Sequence, residues 1–393
     1  MKRIDKNFRM LVCLAVAALF LSVWGIPFTQ AAAKAPIKIG VVYSSSGSQA
    51  HTGLQEANVI NMIVDEVNAK GGINGHPLKA ILENDDTQTV KSVSAAKKLV
   101  FSDKVHVLMG ANTSSAIKAI QQQVTEMEKV PYISMVGSDP ALTTMGQQWY
   151  FRNSLSAAYQ TGSIIDYVVK DLKLKSFAMI FDAASASDQA KAVEAGLNKA
   201  GFNLVAKEQF KTGDTSFNSQ LLKIKQANPD ALVTIGVAPE AAGVAKQVRD
   251  MGINARIIGL VAIVYDEYIN LGGSAVEGTV AASSFRSDNP AANVQAFVKK
   301  YQEKFKDSPD HAAAQTFDAM NMLIKALTGT KLKLTDKALQ SDRQLVRDAI
   351  TKINNYDGVV GLLSYGPQDR DAYEKTLIVE VKNGKWTVVK DAR

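Results

Sequence analysis

The chain has 393 residues, with 45 Lys and Arg against 38 Asp and Glu and a single cysteine, Cys13. One cysteine excludes a disulfide framework and a cysteine-based metal site. The basic excess is mild and shows no Lys/Arg cluster interleaved with aromatics, so nucleic acid is not an expected partner.

Lys2, Arg3, Lys6 and Arg9 make a basic start, Leu11–Leu21 an apolar run, and Thr29–Ala33 a stretch of small residues that fits cleavage after Ala31 or after Ala33. That order reads as a secretory signal peptide over residues 1–33. The apolar run is shorter than the roughly 20 residues a membrane span needs. Cys13 sits early in the run, after Leu11-Val12, where a lipid-attachment cysteine would close it. An exported, unlipidated chain is best confined by an outer membrane, so the expected location is the periplasm. The remaining ~360 residues exceed one comfortable core and predict two domains.

In chain order, Ile37–Tyr43 reads as a strand, followed by helically spaced Leu54, Ala57, Ile60, Ile63, Val64 and Val67 ending at Gly71-Gly72. Lys79–Glu83 reads as a strand, Val90–Val100 as a helix, Val105–Leu108 and Pro131–Met135 as strands. The pattern restarts after Arg152. Ser176–Phe181, Leu204–Phe210, Ala231–Ile235 and Arg256–Gly259 are strand-like. Between them lie helical patterns at Tyr159–Leu172, Gln189–Ala200, Phe217–Gln226 and Glu240–Met251. Ala291–Phe305 and Ala312–Leu327 are helical and complete a lobe already begun. Gly361–Val389 alternates like short antiparallel strands, with a turn at Asn383-Gly384. The fold class expected is α/β, with two doubly wound lobes and parallel sheets.

Two strand ends carry the chemistry. Met109–Ser115 (MGANTSS) and Met135–Pro140 (MVGSDP) each pass from an apolar run to small hydroxyl residues that open a helical pattern. A strand end with a free helix N-terminus and hydroxyls suits a small anion. Ser114 and Ser115 also serve as N-caps for a helix over Ala116–Met127, and Ser138 before Asp139-Pro140 serves likewise. Asp85-Asp86 reads as turn and cap chemistry. His51, His76, His106 and His311 show no metal-ligand spacing and are expected at surfaces or in loops, His51 standing out because it follows the first strand. Catalytic motifs such as Gly-x-Ser-x-Gly and His-Glu-x-x-His are missing from the sequence, so the chain is expected not to be an enzyme and to need no cofactor or metal.

Ile37–Gly47 (IKIGVVYSSSG), Val67–Gly75 (VNAKGGING), Leu82–Asp86, Val107–Ser115, Pro131–Thr143, Asn228–Gly236 and Tyr301–Asp318 resemble the branched-chain amino-acid-type substrate-binding proteins of ABC importers. The likeness runs through nearly the whole chain after the leader. It implies a type I periplasmic binding fold, with two lobes joined by a multi-strand hinge: 34–154 plus 286–363 as lobe 1, and 155–285 plus 364–393 as lobe 2. It implies a monomer that closes on a small-molecule carboxylate and is read by a membrane permease.

In amino-acid-binding members the first lobe holds the α-carboxylate. The matching positions here are Ser114, with its neighbours Asn112 and Thr113, and Ser138. The Ser44–Thr52 loop, with Ser46, His51 and Thr52, takes the place that touches the ligand's side chain. Second-lobe loops that hold the ammonium in those members correspond to Ala186-Ser187, Val237-Ala238 and Val261, none of which offers an acid or a tyrosine. Asp182, Asp188 or Glu240 could substitute from nearby, although each suits a helix start. The expected ligand therefore keeps a carboxylate and lacks the α-amino group, its aromatic or aliphatic body lying against Val237, Ala238, Val261 and Ile263. An amide or urea-type solute, a sensory role and an exported α/β enzyme are the alternatives.

Overall fold

The computed structural model describes residues 34–145, 148–366, 370–372 and 376–391. The signal-peptide expectation falls on residues 1–33 and lies outside them. Among the described residues, no helix is long and apolar enough to cross a membrane.

Five strands, β1 (Ile37–Tyr43), β2 (Leu78–Asn84), β3 (Val107–Gly110), β4 (Tyr132–Ser134) and β5 (Tyr150–Arg152), pair in parallel in the order β2-β1-β3-β4-β5. The same order returns in the second sheet. There β6 (Phe177–Asp182), β7 (Leu204–Phe210), β8 (Ala231–Ile235), β9 (Arg256–Gly259) and β10 (Val280–Ser283) run β7-β6-β8-β9-β10. A small hairpin, β11 (Tyr356–Gly358) and β12 (Gly361–Leu363), stands apart. The antiparallel pair β13 (Leu377–Lys382) and β14 (Lys385–Asp391) extends the second sheet beyond β10. Asn383 (φ 53°) and Gly384 (φ 69°) supply the two positive φ values that a tight hairpin turn needs.

The sequence explains these layers. Every residue of β3, β6, β8 and β10 is buried, as expected of parallel strands covered on both faces. One face of the first sheet (Ile39, Val41, Val107, Met109) packs on Ile60 and Ile63 of the helix Ala50–Ala69. Met320 and Leu323 of the helix His311–Thr328 join the same cluster. The other face (Val42, Leu108, Tyr132) packs on Ile117 and Ile120. Chain segments pass between the two sheets after β5, after β10 and again before β13. Doubly wound sheets of this order open a crevice where the strand order reverses, between β1 and β3 in the first and between β6 and β8 in the second.

Two glycines make the first crevice possible. Gly110 (φ +95°) ends β3 where a Cβ would run into the Val42 carbonyl. Gly53 lets the first turn of the helix Ala50–Ala69 rest on the backbone of Ser44.

Some elements differ from expectation. The strand β5 and the strand β10 (Val-Ala-Ala-Ser) were not read from the sequence, being short or poor in β-formers and decided by their place in a sheet. The helix Leu339–Ile350 is likewise an element beyond those expected. Ile263 is buried in the second lobe's core, with 1% exposure, and so does not line the cleft as expected.

Candidate functional site

The two crevices supply the loops that face one another. From the first lobe come the loops after β1, β3 and β4; from the second come those after β6, β8 and β9.

The loop after β3 begins with Asn112, which does not point outward as a free ligand group. Its Oδ1 accepts the Ser44 N–H (2.8 Å) and its Nδ2 donates to Glu56 Oε2 (2.8 Å). Asn112 is thus a clip between the ends of β1 and β3. The cap of the next helix is Thr113, whose hydroxyl accepts the Ala116 N–H at 3.3 Å; this corrects the capping role given to Ser114 and Ser115. Ser114 instead opens the helix, and its hydroxyl accepts the Asp139 N–H of the neighbouring loop (3.3 Å). The two hydroxyl loops are therefore joined.

The second loop also departs from expectation. Asp139, not Ser138, caps the next turn, accepting the Ala141 N–H (2.8 Å). The helix there, Ala141–Thr144, is a single turn, so it aligns few peptide dipoles. Lys118 sits 2.9 Å from the Asp139 carboxylate and offsets its charge. The buried Arg152 guanidinium donates to the Asp139 carbonyl (2.7 Å) and pairs with Asp371 (2.5 Å), holding the loop from below. Ser138 is left buried at the cleft, where its hydroxyl accepts a hydrogen bond from Gln189 Nε2 of the second lobe.

At the other flank, Thr52 and His51 open the helix Ala50–Ala69. Tyr265, four residues beyond Val261, reaches over from the second lobe. Its hydroxyl lies 3.5 Å from Thr52 Oγ1 and 3.1 Å from His311 Nε2, and its ring stands edge-on to His51 at 5.5 Å. His51 Nε2 pairs with Asp310 (2.9 Å), which raises the His51 pKa. Burial lowers the pKa of His311, whose Nε2 shares a hydrogen bond with the Tyr265 hydroxyl. His311 was expected at a surface and is instead buried at the head of its helix. His106 is buried too. Its Nδ1 accepts the Lys38 N–H (3.0 Å), and burial pushes it down to about 4.

Other expected positions are engaged elsewhere. The Ser46 hydroxyl donates to Asp86 in the loop after β2. Ser187 donates back to the Ala183 carbonyl (2.6 Å). Val237 precedes the helix Ala238–Asp250 and is half-buried; Val261 is half-buried in a 3₁₀ turn, its N–H given to Gln160 Oε1 (3.0 Å). Asp182 is saturated by Ala184 N–H, Ser185 N–H and the hydroxyls of Ser185 and Thr212, so it offers no free acceptor. Asp188 pairs with Lys191; Glu240 accepts the Gly213 N–H through Oε1, while its buried Oε2 has no hydrogen-bond partner.

The sequence reading missed Glu56. It has 0% exposure, and its Oε1 has no hydrogen-bond partner. Burial pushes its pKa well above the usual carboxylate range. Glu56 belongs to a first-lobe helix and is held there by Asn112, so it does not bear on the second-lobe loops, where no acid was expected. Glu56 falls one turn after Thr52 on the same helix face, a spacing that could have flagged it.

Two doubly wound lobes whose switch-point loops meet across a cleft define the two-lobe fold of type I periplasmic binding proteins. The chain belongs to the periplasmic binding protein family, whose model matches residues 36–385. It is 26% identical over 364 residues to the leucine-specific-binding protein of Salmonella typhimurium, covering 92% of this chain and 95% of that one. It is 26% identical over 349 residues to the Leu/Ile/Val-binding protein of Escherichia coli K12, covering 88% and 91%. Among solved structures, the branched-chain amino acid transporter substrate binding protein of Streptococcus pneumoniae, in complex with isoleucine, superposes with a TM-score of 0.81. Its identity is 28%, over 90% of this chain and 99% of that one. The protein is a solute-binding protein of ABC-transporter type, related to branched-chain amino-acid binding proteins.

Proposed function

We propose that this protein is the exported, periplasmic, monomeric solute receptor of an ABC importer and holds a small organic carboxylate between its lobes. The observation that carries the reading is the joined pair of hydroxyl loops: Ser114 bonded to the Asp139 N–H, and Ser138 beside it, facing Gln189 of the other lobe.

In this reading the carboxylate takes hydrogen bonds from Ser114 and Ser138, and the head of the helix that Ser114 opens favours its charge by up to about 2 kcal/mol. Hydrogen bonds to a charged group contribute roughly 1.5–3 kcal/mol each. Val237 and Val261 then cover the apolar body, at about 25 cal/mol per Å² removed from water. Closure follows because only the closed form contacts the ligand from both sides, and the closed form is what a membrane permease reads. Leucine, isoleucine and valine, named for the relatives above, are carboxylates of suitable size.

The test is Ser114→Ala combined with Ser138→Ala, titrated calorimetrically with leucine and with benzoate. Binding of whichever acid the wild type takes should weaken by at least about tenfold, with the melting temperature nearly unchanged. Undiminished binding would remove the carboxylate seat from these loops.

A further inference from the structure

Three successive carbonyls of the loop after β4 are held by the chain that leaves β5 for the second sheet. Ser154 Oγ donates to the Gly137 carbonyl (3.0 Å), the Ala157 N–H to that of Ser138 (2.6 Å) and Arg152 Nη1 to that of Asp139 (2.7 Å). The loop that carries Ser138 is thus fastened, residue by residue, to the first segment of the hinge. A stretch without regular structure keeps a fixed path when its backbone acceptors are bonded in a row.

Arg152 carries this fastening to another hinge segment, the one before β13. The side chain has 0% exposure, and its Nε and Nη2 hold the two oxygens of Asp371 at 2.5 and 2.8 Å. The backbones run side by side as well. The Arg152 N–H donates to the Arg370 carbonyl (2.8 Å), and the Ala372 N–H to the Arg152 carbonyl (3.1 Å). The Thr143 hydroxyl, just beyond the solute loop, donates to the same carboxylate (3.2 Å). A planar guanidinium grips a carboxylate through two parallel bonds and still has a donor for a third partner, which a lysine ammonium does not match in geometry. A buried ion pair stabilises a fold little more than a well-packed apolar pair does, so the value of this one lies in position.

We infer that Arg152 is a positioning residue that couples the solute loop to the hinge. A change in the angle between the lobes moves the hinge segments, and Arg152 passes that movement to Asp139 and Ser138. A solute seated on Ser138 thereby biases the lobes toward closure from the hinge side as well as from across the cleft. The inference rests on the solute loop proposed above, but on no particular solute.

The experiment uses the full chain and needs no solute. Site-resolved hydrogen exchange follows the Arg152, Ala157 and Ala372 N–H groups. Spin labels at Lys97→Cys and Lys199→Cys, exposed positions on the two lobes, report the lobe-to-lobe distance, with Cys13→Ser removing the native thiol. In the wild type the three amides should open as one unit, with protection factors within about threefold of one another. Asp371→Asn should lower all three by at least about tenfold, leave the amides of β1 and β8 unchanged, and broaden the distance distribution. Arg152→Lys keeps the charge beside Asp371 and gives up the Asp139 carbonyl, so it should free the Ala157 amide and spare that of Ala372. Unequal protection in the wild type overturns the inference, and this arm stands whether or not a variant folds. Exchange that rises throughout the Asp371→Asn chain, the mark of a residue that only stabilises, also overturns it, as does an unchanged distance distribution. The Ser114/Ser138 double variant judges the carboxylate seat separately, because none of these readouts passes through a bound acid.

Discussion

The hydroxyl of Tyr265, in the second lobe, lies 3.1 Å from Nε2 of His311, at the head of a first-lobe helix. Burial raises the pKa of the tyrosine and lowers that of the imidazole. Thr52 and the His51 ring flank the same phenol, so one aromatic side chain bridges two first-lobe helices. On the opposite flank Gln189 meets Ser138. The lobes are pinned at both sides of the cleft.

Tyr265→Phe keeps the ring and deletes the bridge. A net hydrogen bond contributes about 0.5–1.5 kcal/mol, so ligand affinity should fall about two- to tenfold. The loss should come through faster release, since the contact belongs to the closed form. Stopped-flow dissociation with an unchanged off-rate would rule out a latch.

Asp318 gives a pH dependence of stability. It is fully buried, accepts the N–H groups of Val359 and Val360 (3.0 Å each), and burial pushes its pKa up to about 7. The folded pKa exceeds the unfolded one, so across the window from about 4 to 7 the folded chain holds a proton that the unfolded chain has lost. Stability from this group is full below that window and falls by about 1.4 kcal/mol per pH unit through it. Urea unfolding at pH 5, 6 and 7 should therefore show a steeper decline for wild type than for Asp318→Asn. Equal slopes would refute the assignment.

Gly110→Ala tests the crevice itself. The substitution places a Cβ against the Val42 carbonyl at a positive φ. Left-handed strain and the displaced neighbour together cost roughly 3 kcal/mol or more. A clear drop in melting temperature and loss of ligand binding should follow; a variant as stable as wild type would mean that β1 and β3 can part there.

Much of this architecture was legible in the chain. The strand readings at β1, β7, β8 and β9 coincide with the observed strands: β8 is buried at every position and so is almost wholly apolar, whereas the edge strand β7 is buried only at its last residue and carries Lys207, Glu208 and Gln209. The Asn383-Gly384 turn was legible because few residues tolerate positive φ. The hydroxyl loops at Thr113-Ser114 and Ser138 could be placed at strand ends because composition changes there within two residues.

The partners opposite those loops were decided by tertiary structure. Gln189 and Ser138 are 51 residues apart, Thr52 and Tyr265 are 213 apart, and Glu56 and Asn112 are 56 apart. Local pattern reports which face of an element turns inward; it carries no information on which distant side chain meets it. Glu56 reads as one more polar residue on a helix until the chain brings Asn112 against it. Hydrophobic periodicity is a property of neighbours along the chain and survives in the sequence, whereas a hydrogen bond across a cleft exists only once two lobes have been folded and brought face to face.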